Sequence, residues 1–325
     1  MYIDGSDEQI KITISERMDL KMANLKSLNG DLDGQVQRDV VLAPFTSFGI
    51  GGAARYFFIA KDPTEIVRAV RAARKNDLKF FILGGGSNIL FADEGYNGLL
   101  IKDECDKYFL EDDGISAQSG AVVDKMVDDA IGAGFSGIEY AAGIRGTIGG
   151  AVYGNAGAFG HAINEILQTA VLYTRDGEIN IVDNNHFRFA YRKSSLSESG
   201  DVVLSVKLKL KHGDKSELAK IVAERRQFRL YHHPAGLGSA GSVFKNLRSL
   251  EDPTNVTPAG KLLEESGVRG LRVGDAAVFE KHCNIVVNLG KAKSQDVKTL
   301  VAMMTEAVRV KFGLDLHREI LYIDP

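Results

Sequence analysis

The stretch Gly-Ile-Arg-Gly-Thr-Ile-Gly-Gly-Ala-Val-Tyr-Gly-Asn-Ala-Gly-Ala-Phe-Gly (143–160) carries glycine at 143, 146, 149, 150, 154, 157 and 160. That density rules out an ordinary amphipathic helix. Each missing Cβ lets the backbone take positive φ or approach another surface closely. Bare N–H groups in such a loop form a nest for phosphate or for the edge of a flat ring. A membrane helix–helix face would also be rich in small residues. Here Arg145, Asn155 and His161 interrupt the segment, and no span of about 20 apolar residues surrounds it. The reading is a cofactor-binding loop rather than a purely structural turn.

Two similar loops lie upstream, at Leu83-Gly84-Gly85-Gly86-Ser87-Asn88 and at Thr46-Ser47-Phe48-Gly49-Ile50-Gly51-Gly52. None has the Gly-x-Gly-x-x-Gly spacing and downstream acid of a Rossmann turn. Three glycine loops in order argue for one large phosphate-bearing cofactor held by several of them.

The 325 residues are enough for two or three domains with real cores. With 40 basic against 43 acidic side chains, no nucleic-acid or membrane electrostatics is implied. Cys105 and Cys283 offer neither a disulfide framework nor zinc spacing, so no metal site is expected and both read as buried small hydrophobes in a reduced compartment. Met1-Tyr2-Ile3-Asp4 lacks a basic n-region and an apolar h-region, which points to a cytoplasmic protein.

Residues 1–40 read as a partly ordered arm, with one helix between Ile10 and Leu28. Residues 41–105 read as a first α+β subdomain. Tyr56–Ile59, Phe80–Leu83 and Leu99–Ile101 are its strands, and Asp62-Pro63 starts a helix carrying Ile66, Val67, Val70 and Ala73. Residues 106–213 form a second subdomain: a helix from Val123 stopping near Gly134, an Asp176-Gly177 hairpin, and an alternating strand from Val202 to Leu210. A third domain over 214–313 opens on a basic helix, Lys215 to His232. Its arginines 225, 226 and 229 suit either a solvated face or a substrate phosphate. A helix from Thr257-Pro258 and another capped by Ser294, with a strand Asn284–Asn288 between them, complete it. A last strand, Leu314 to Ile323, would return over 314–325 to the active site.

Three side chains outside the loops stand out. Ser242 lies in a small-residue turn without the Gly-x-Ser-x-Gly elbow of a hydrolase. Glu319 sits among Ile320, Leu321 and Ile323, either as a buried carboxyl with a raised pKa or as a solvent-facing edge residue. Arg192 suits a bidentate grip on a carboxylate or a surface salt bridge.

In combination these residues resemble the UDP-N-acetylenolpyruvoylglucosamine reductases, flavoenzymes of peptidoglycan precursor synthesis. The resemblance runs from about Val41 to Asp324. It rests on the three glycine loops, Tyr-Arg-Lys-Ser (191–194), Ser-Ala-Gly-Ser-Val-Phe-Lys-Asn (239–246), Ala-Gly-Lys-Leu-Leu-Glu (259–264), Lys-His-Cys-Asn (281–284) and Glu319. The short spacing between Arg192 and Ser242 resembles the second subclass, which lacks an inserted tyrosine-bearing loop. Arg145 stands where the family usually has proline.

The resemblance implies a two-subdomain FAD-binding fold of the p-cresol methylhydroxylase/vanillyl-alcohol oxidase type, with a C-terminal α+β substrate-binding domain. It implies non-covalent FAD, NADPH as hydride donor, UDP-N-acetylglucosamine enolpyruvate as substrate, and a monomer. Arg192, Glu319 and Ser242 would be catalytic, with Ser242 giving a proton to the substrate α-carbon. The flavin would be held by Thr46, Phe48, Gly49, Ile50, Gly51 and Gly52, by Gly84, Gly85, Gly86, Ser87 and Asn88, and by Gly143, Gly146, Thr147, Gly149, Gly150, Asn155, Ala156 and Gly157. Tyr191, Lys245, Asn246, His282 and Arg229 would line the substrate pocket. An FAD oxidase or dehydrogenase of the same fold, acting on a hydroxy acid or alcohol, is the alternative, and a non-catalytic nucleotide-sugar protein is a third.

Overall fold

A computed structural model describes residues 25–248 and 256–325. The first unit is a four-stranded sheet in the order Gln37–Val41, Ala53–Ala60, Tyr96–Asp103, Phe80–Leu83. The last three strands run parallel, and Gln37–Val41 is antiparallel to its neighbour. Leu99, Leu100 and Ile101 are all fully buried, the pattern of a central strand covered on both faces. One face packs on the helix Pro63–Lys75, whose N-terminus is capped by Asp62 accepting from the Thr64 amide at 2.9 Å.

Residues 25–31 are helical, and Leu28, Leu32 and Val36 join that helix in the same core. Residues 25–40 therefore belong to the first unit, although an arm was expected there. The rest of the expected Ile10–Leu28 helix, and of the arm, lies outside the described residues.

The second unit is a five-stranded antiparallel sheet ordered Ile179–Asp183, Leu167–Tyr173, Val202–Lys209, Gly114–Gln118, Tyr108–Glu111. The helix Val123–Ala133 ends on Gly134 in the left-handed conformation, as its sequence indicates. The glycine stretch itself contains a six-residue helix, Ile148–Tyr153, which buries Ile148, Ala151 and Val152 in this core. Short helical turns were not part of the sequence reading, because the glycines mask a three-residue apolar patch. The basic helix Lys215–His232 also seats Leu218 and Val222 in this second core. It is the last element of the second unit rather than the first of the third.

The third core is built from the helices Ala259–Glu265 and Ser294–Phe312 and a three-stranded sheet, Arg272–Val273, Ala276–Val278 and Val286–Asn288. Phe48, Ile50 and Leu90 from the first unit are part of that core. The chain end returns to the first unit: the strand Leu321–Ile323 pairs in parallel with Ile89–Phe91. The expected strand from Leu314 is shorter than its sequence suggests. Residues 317–319 instead bond irregularly to 243–245, through Glu319 N to Val243 O at 2.7 Å and Lys245 N to His317 O at 2.8 Å. Among the described residues, no helix is long and apolar enough to cross a membrane.

Candidate active site

The three glycine loops meet. Ser47 donates from its amide to Gly86 O (3.0 Å) and from its hydroxyl to Ser239 O (2.7 Å), while Ser239 N returns to Ser47 O at 3.0 Å. Ser87 Oγ donates to Arg145 O at 2.8 Å, tying the second loop to the third. The contact is close enough that a Cβ on Gly85 would lie 2.7 Å from the Gly146 Cα, and Gly86 holds a φ of +62°. Alanine at either position is disfavoured by contact or by backbone strain. Between the loops lies an open cavity of about 370 Å³, lined by residues 44–47, Gly84, Gly85, Ser87, Lys102 and Arg145. Backbone N–H groups from glycine-bared turns, two cations and a cradle that a Cβ would obstruct form a chemistry suited to a flavin dinucleotide.

Beside this cradle, Arg192 Nε donates to Glu319 Oε1 at 2.8 Å, and a second guanidinium nitrogen donates to Gly157 O. The two side chains are 23 % and 20 % exposed, so the pair is screened from bulk water but open to a ligand. Arg192 holds a left-handed φ of +53°, an uncommon conformation for a non-glycine residue. Burial pushes the Glu319 carboxyl above its ordinary range, and Arg192 and Lys245 pull it back. Lys245 Nζ donates to Arg192 O at 3.2 Å. Ser242, half-buried, precedes Val243, whose carbonyl receives the Glu319 amide. The residues about Ser242 are braced by Asn284, which accepts from Phe244 N at 2.9 Å and donates to Phe244 O at 2.8 Å. Arg192, Glu319 and the segment 243–245 that follows Ser242 thus come from three separate parts of the chain.

The other residues expected at the flavin site make the following contacts within the protein. Phe48 and Ile50 are 1 % and 3 % exposed in the third core, so their side chains face away from the cavity. Thr46 closes its own loop by donating to Ile50 O at 3.1 Å, and it also lines the cavity. Gly51 and Gly52 pack on residues 91–95, and Gly49 lies against Asn288. Asn88 Nδ2 donates to Glu319 O at 3.2 Å and so positions the carboxylate segment. Thr147 sits against Gly84, Gly149 against Ser119, and Gly150 on the short helix. The Asn155 carboxamide is engaged with Ala190 O (3.0 Å) and Asn164 N (3.2 Å), while Ala156 bonds to Ala151 and Ile163 through its backbone. Gly157 belongs with Arg192, and Gly143 with Arg229, whose Nε donates to Ala142 O at 2.8 Å.

Among the residues expected to line the substrate pocket, Tyr191 lies under Arg248 and Arg192, with guanidinium carbons 4.2 and 5.2 Å from its ring centre. Asn246 accepts from Ala259 N at 3.1 Å and so holds the start of a helix. His282 lies near His233, with ring centres 6.4 Å apart, and burial holds both below the ordinary histidine pKa. Of the basic helix, Arg226 pairs with Asp124 and Asp128, so that arginine is structural.

Two contributors escaped the sequence reading. Ser47 sits inside a quoted motif, and its hydrogen-bonding hydroxyl was a usable signal. Lys102 is a lysine directly after the apolar run Leu99–Ile101, and a charge at that point of a buried strand was the available clue.

Residues 54–183 match the model of an FAD binding domain, and residues 233–323 match the C-terminal domain of UDP-N-acetylenolpyruvoylglucosamine reductase. The second match begins where the basic helix ends. The UDP-N-acetylenolpyruvoylglucosamine reductase of Clostridium tetani is 34 % identical over 289 residues, covering 89 % of this chain and 92 % of that protein. The same enzyme of Caldicellulosiruptor bescii is 36 % identical over 291 residues, covering 88 % and 90 %. A crystal structure of the enzyme from Thermus caldophilus superposes with a TM-score of 0.74 at 32 % identity, covering 89 % of this chain and 99 % of that one. These likenesses do not favour the oxidase alternative. With such identity over nearly nine-tenths of its length, the chain belongs to the UDP-N-acetylenolpyruvoylglucosamine reductase family.

Proposed function

We propose that the chain reduces UDP-N-acetylglucosamine enolpyruvate to UDP-N-acetylmuramate with NADPH, and that Arg192, Glu319 and Ser242 carry the chemistry. The observation that supports this most is the 2.8 Å Arg192–Glu319 pair beside the strand segment of Ser242. Bound FAD would be held by the backbone of residues 46–52, 84–88 and 143–157, and the chemistry it supplies is hydride transfer from NADPH to the enolpyruvyl double bond.

The protein's own part is to control charge and one proton. Hydride arriving at the β-carbon leaves negative charge spread toward the substrate carboxylate. The Arg192 guanidinium neutralises it, being fixed by Glu319 and Gly157 before the substrate arrives. Ser242 Oγ delivers its proton to the α-carbon and regains one from water. A hydroxyl is a weak acid, so this role depends on the cations of Arg192 and Lys245 and on a site largely closed to solvent. Tyr191, Lys245 and His282 border the substrate, and Arg229 and Asn246 hold the walls around it.

The chain acts as a monomer in this reading, since one copy supplies every named group. Residues 25–213 hold the flavin, the basic helix completes that part, and 233–325 covers the substrate. A cytoplasmic location accords with two free, buried cysteines. The test is NADPH oxidation by yellow, FAD-loaded protein with and without the enolpyruvyl nucleotide sugar. Turnover is expected only with it, falling about 10²- to 10⁴-fold in Ser242→Ala. Full turnover in that variant would remove Ser242 from the mechanism.

A further inference from the structure

Lys102 sets a half-buried ammonium against the glycine-loop cavity, near the end of the central strand Tyr96–Asp103. Its ammonium donates to Gly84 O at 2.9 Å and to Asp103 O at 3.3 Å. An ammonium has three donors, so one is left for a ligand. Arg145 lines the same cavity from the exposed side, and its carbonyl is fixed by Ser87. Among the described residues, no carboxylate lines this cavity, and neither cation has an ion-pair partner. Asp103 and Glu104 are within electrostatic reach of Lys102, yet burial dominates and holds its ammonium below the ordinary lysine pKa. Two positive charges facing a nest of backbone amides, with no carboxylate on the described cavity wall, suit a compact dianion.

We propose that Lys102 and Arg145 form a diphosphate subsite, with Lys102 holding the inner phosphate and Arg145 the outer one. This rests on the FAD reading above and adds to it two side chains that the glycine motifs do not include. Lys102 also fixes the Gly84 carbonyl, so it aims the following amides at the same anion. Arg145, standing where the family usually has proline, is this chain's own addition to the rim.

The test uses flavin-loaded protein diluted into buffer, with release followed by recovery of flavin fluorescence. It is run for FAD and, after exchange, for riboflavin, which lacks the diphosphate. Lys102→Met should weaken FAD retention about 10- to 100-fold, as for loss of one charge-assisted hydrogen bond, while riboflavin retention stays within about twofold. Lys102→Arg should restore most of it. Should Lys102→Met fail to fold, Arg145→Met at the exposed rim carries the same comparison, with a smaller loss of FAD and a flatter dependence on salt. Equal weakening of FAD and riboflavin, or no weakening of either, would make Lys102 a mere prop for the loop and overturn the proposal. Wild-type protein that takes up no flavin would instead overturn the FAD reading itself, and this subsite with it.

Discussion

Arg192 and Glu319 meet across 127 residues of sequence, and each makes sense only through the other. Glu319→Gln keeps the shape but removes the charge that orients the guanidinium. Turnover should fall about 10²- to 10³-fold, with a smaller change in substrate KM, read from steady-state kinetics. His233 makes a separate prediction. Burial, with the Arg229 charge behind it, lowers its pKa to about 4. The unfolded chain titrates that histidine at about 6.5. Between those values the unfolded state binds more protons, so stability falls as pH drops through the window. Urea midpoints at pH 7 and pH 5 should therefore differ more for the wild type than for His233→Gln. Read by themselves, Arg192 and Glu319 stayed open between a site and a surface, and only the family resemblance pointed to the site. Sequence alone had no means of showing that 317–319 leaves regular strand pairing and turns the carboxylate toward Arg192.

Among the elements, local signals were legible and long-range ones were not. The Asp62-Pro63 start and the Gly134 stop were both read correctly, because the capping chemistry lies within a few residues. The helix at Ser294 was also located, but Ser294, expected as its cap, is its first helical residue. Asp93 accepts from Ser294 N (2.8 Å) and Gln295 N (3.2 Å), and Ser294 Oγ accepts from Asp93 N at 3.0 Å. That reciprocal cap fastens the third unit to the first. Asp93→Ala should cost about 1–2 kcal/mol in chemical denaturation, and the loss should appear in both units if they unfold together. The basic helix shows the opposite limit. Its two core residues, Leu218 and Val222, are too few to reveal which sheet it joins. In the glycine loops the spacing was informative because close approach has only one chemical solution. Gly85→Ala should lower the bound flavin content of purified protein, measured by absorbance, since its Cβ would press on Gly146.

For the molecule as a whole, the architecture places a cofactor cradle in the first two units and closes it with a third whose core borrows Phe48 and Ile50 from the first. The returning segment 314–325 then couples that closure to the carboxylate. The central claim is that one cleft serves two half-reactions and that Ser242 takes part only in the second. Rapid-mixing absorbance of FAD-loaded Ser242→Ala protein separates them. Bleaching of the flavin band by NADPH should proceed at the wild-type rate, while its recovery on adding the enolpyruvyl nucleotide sugar should slow at least about 100-fold. Recovery as fast as in the wild type would contradict the account.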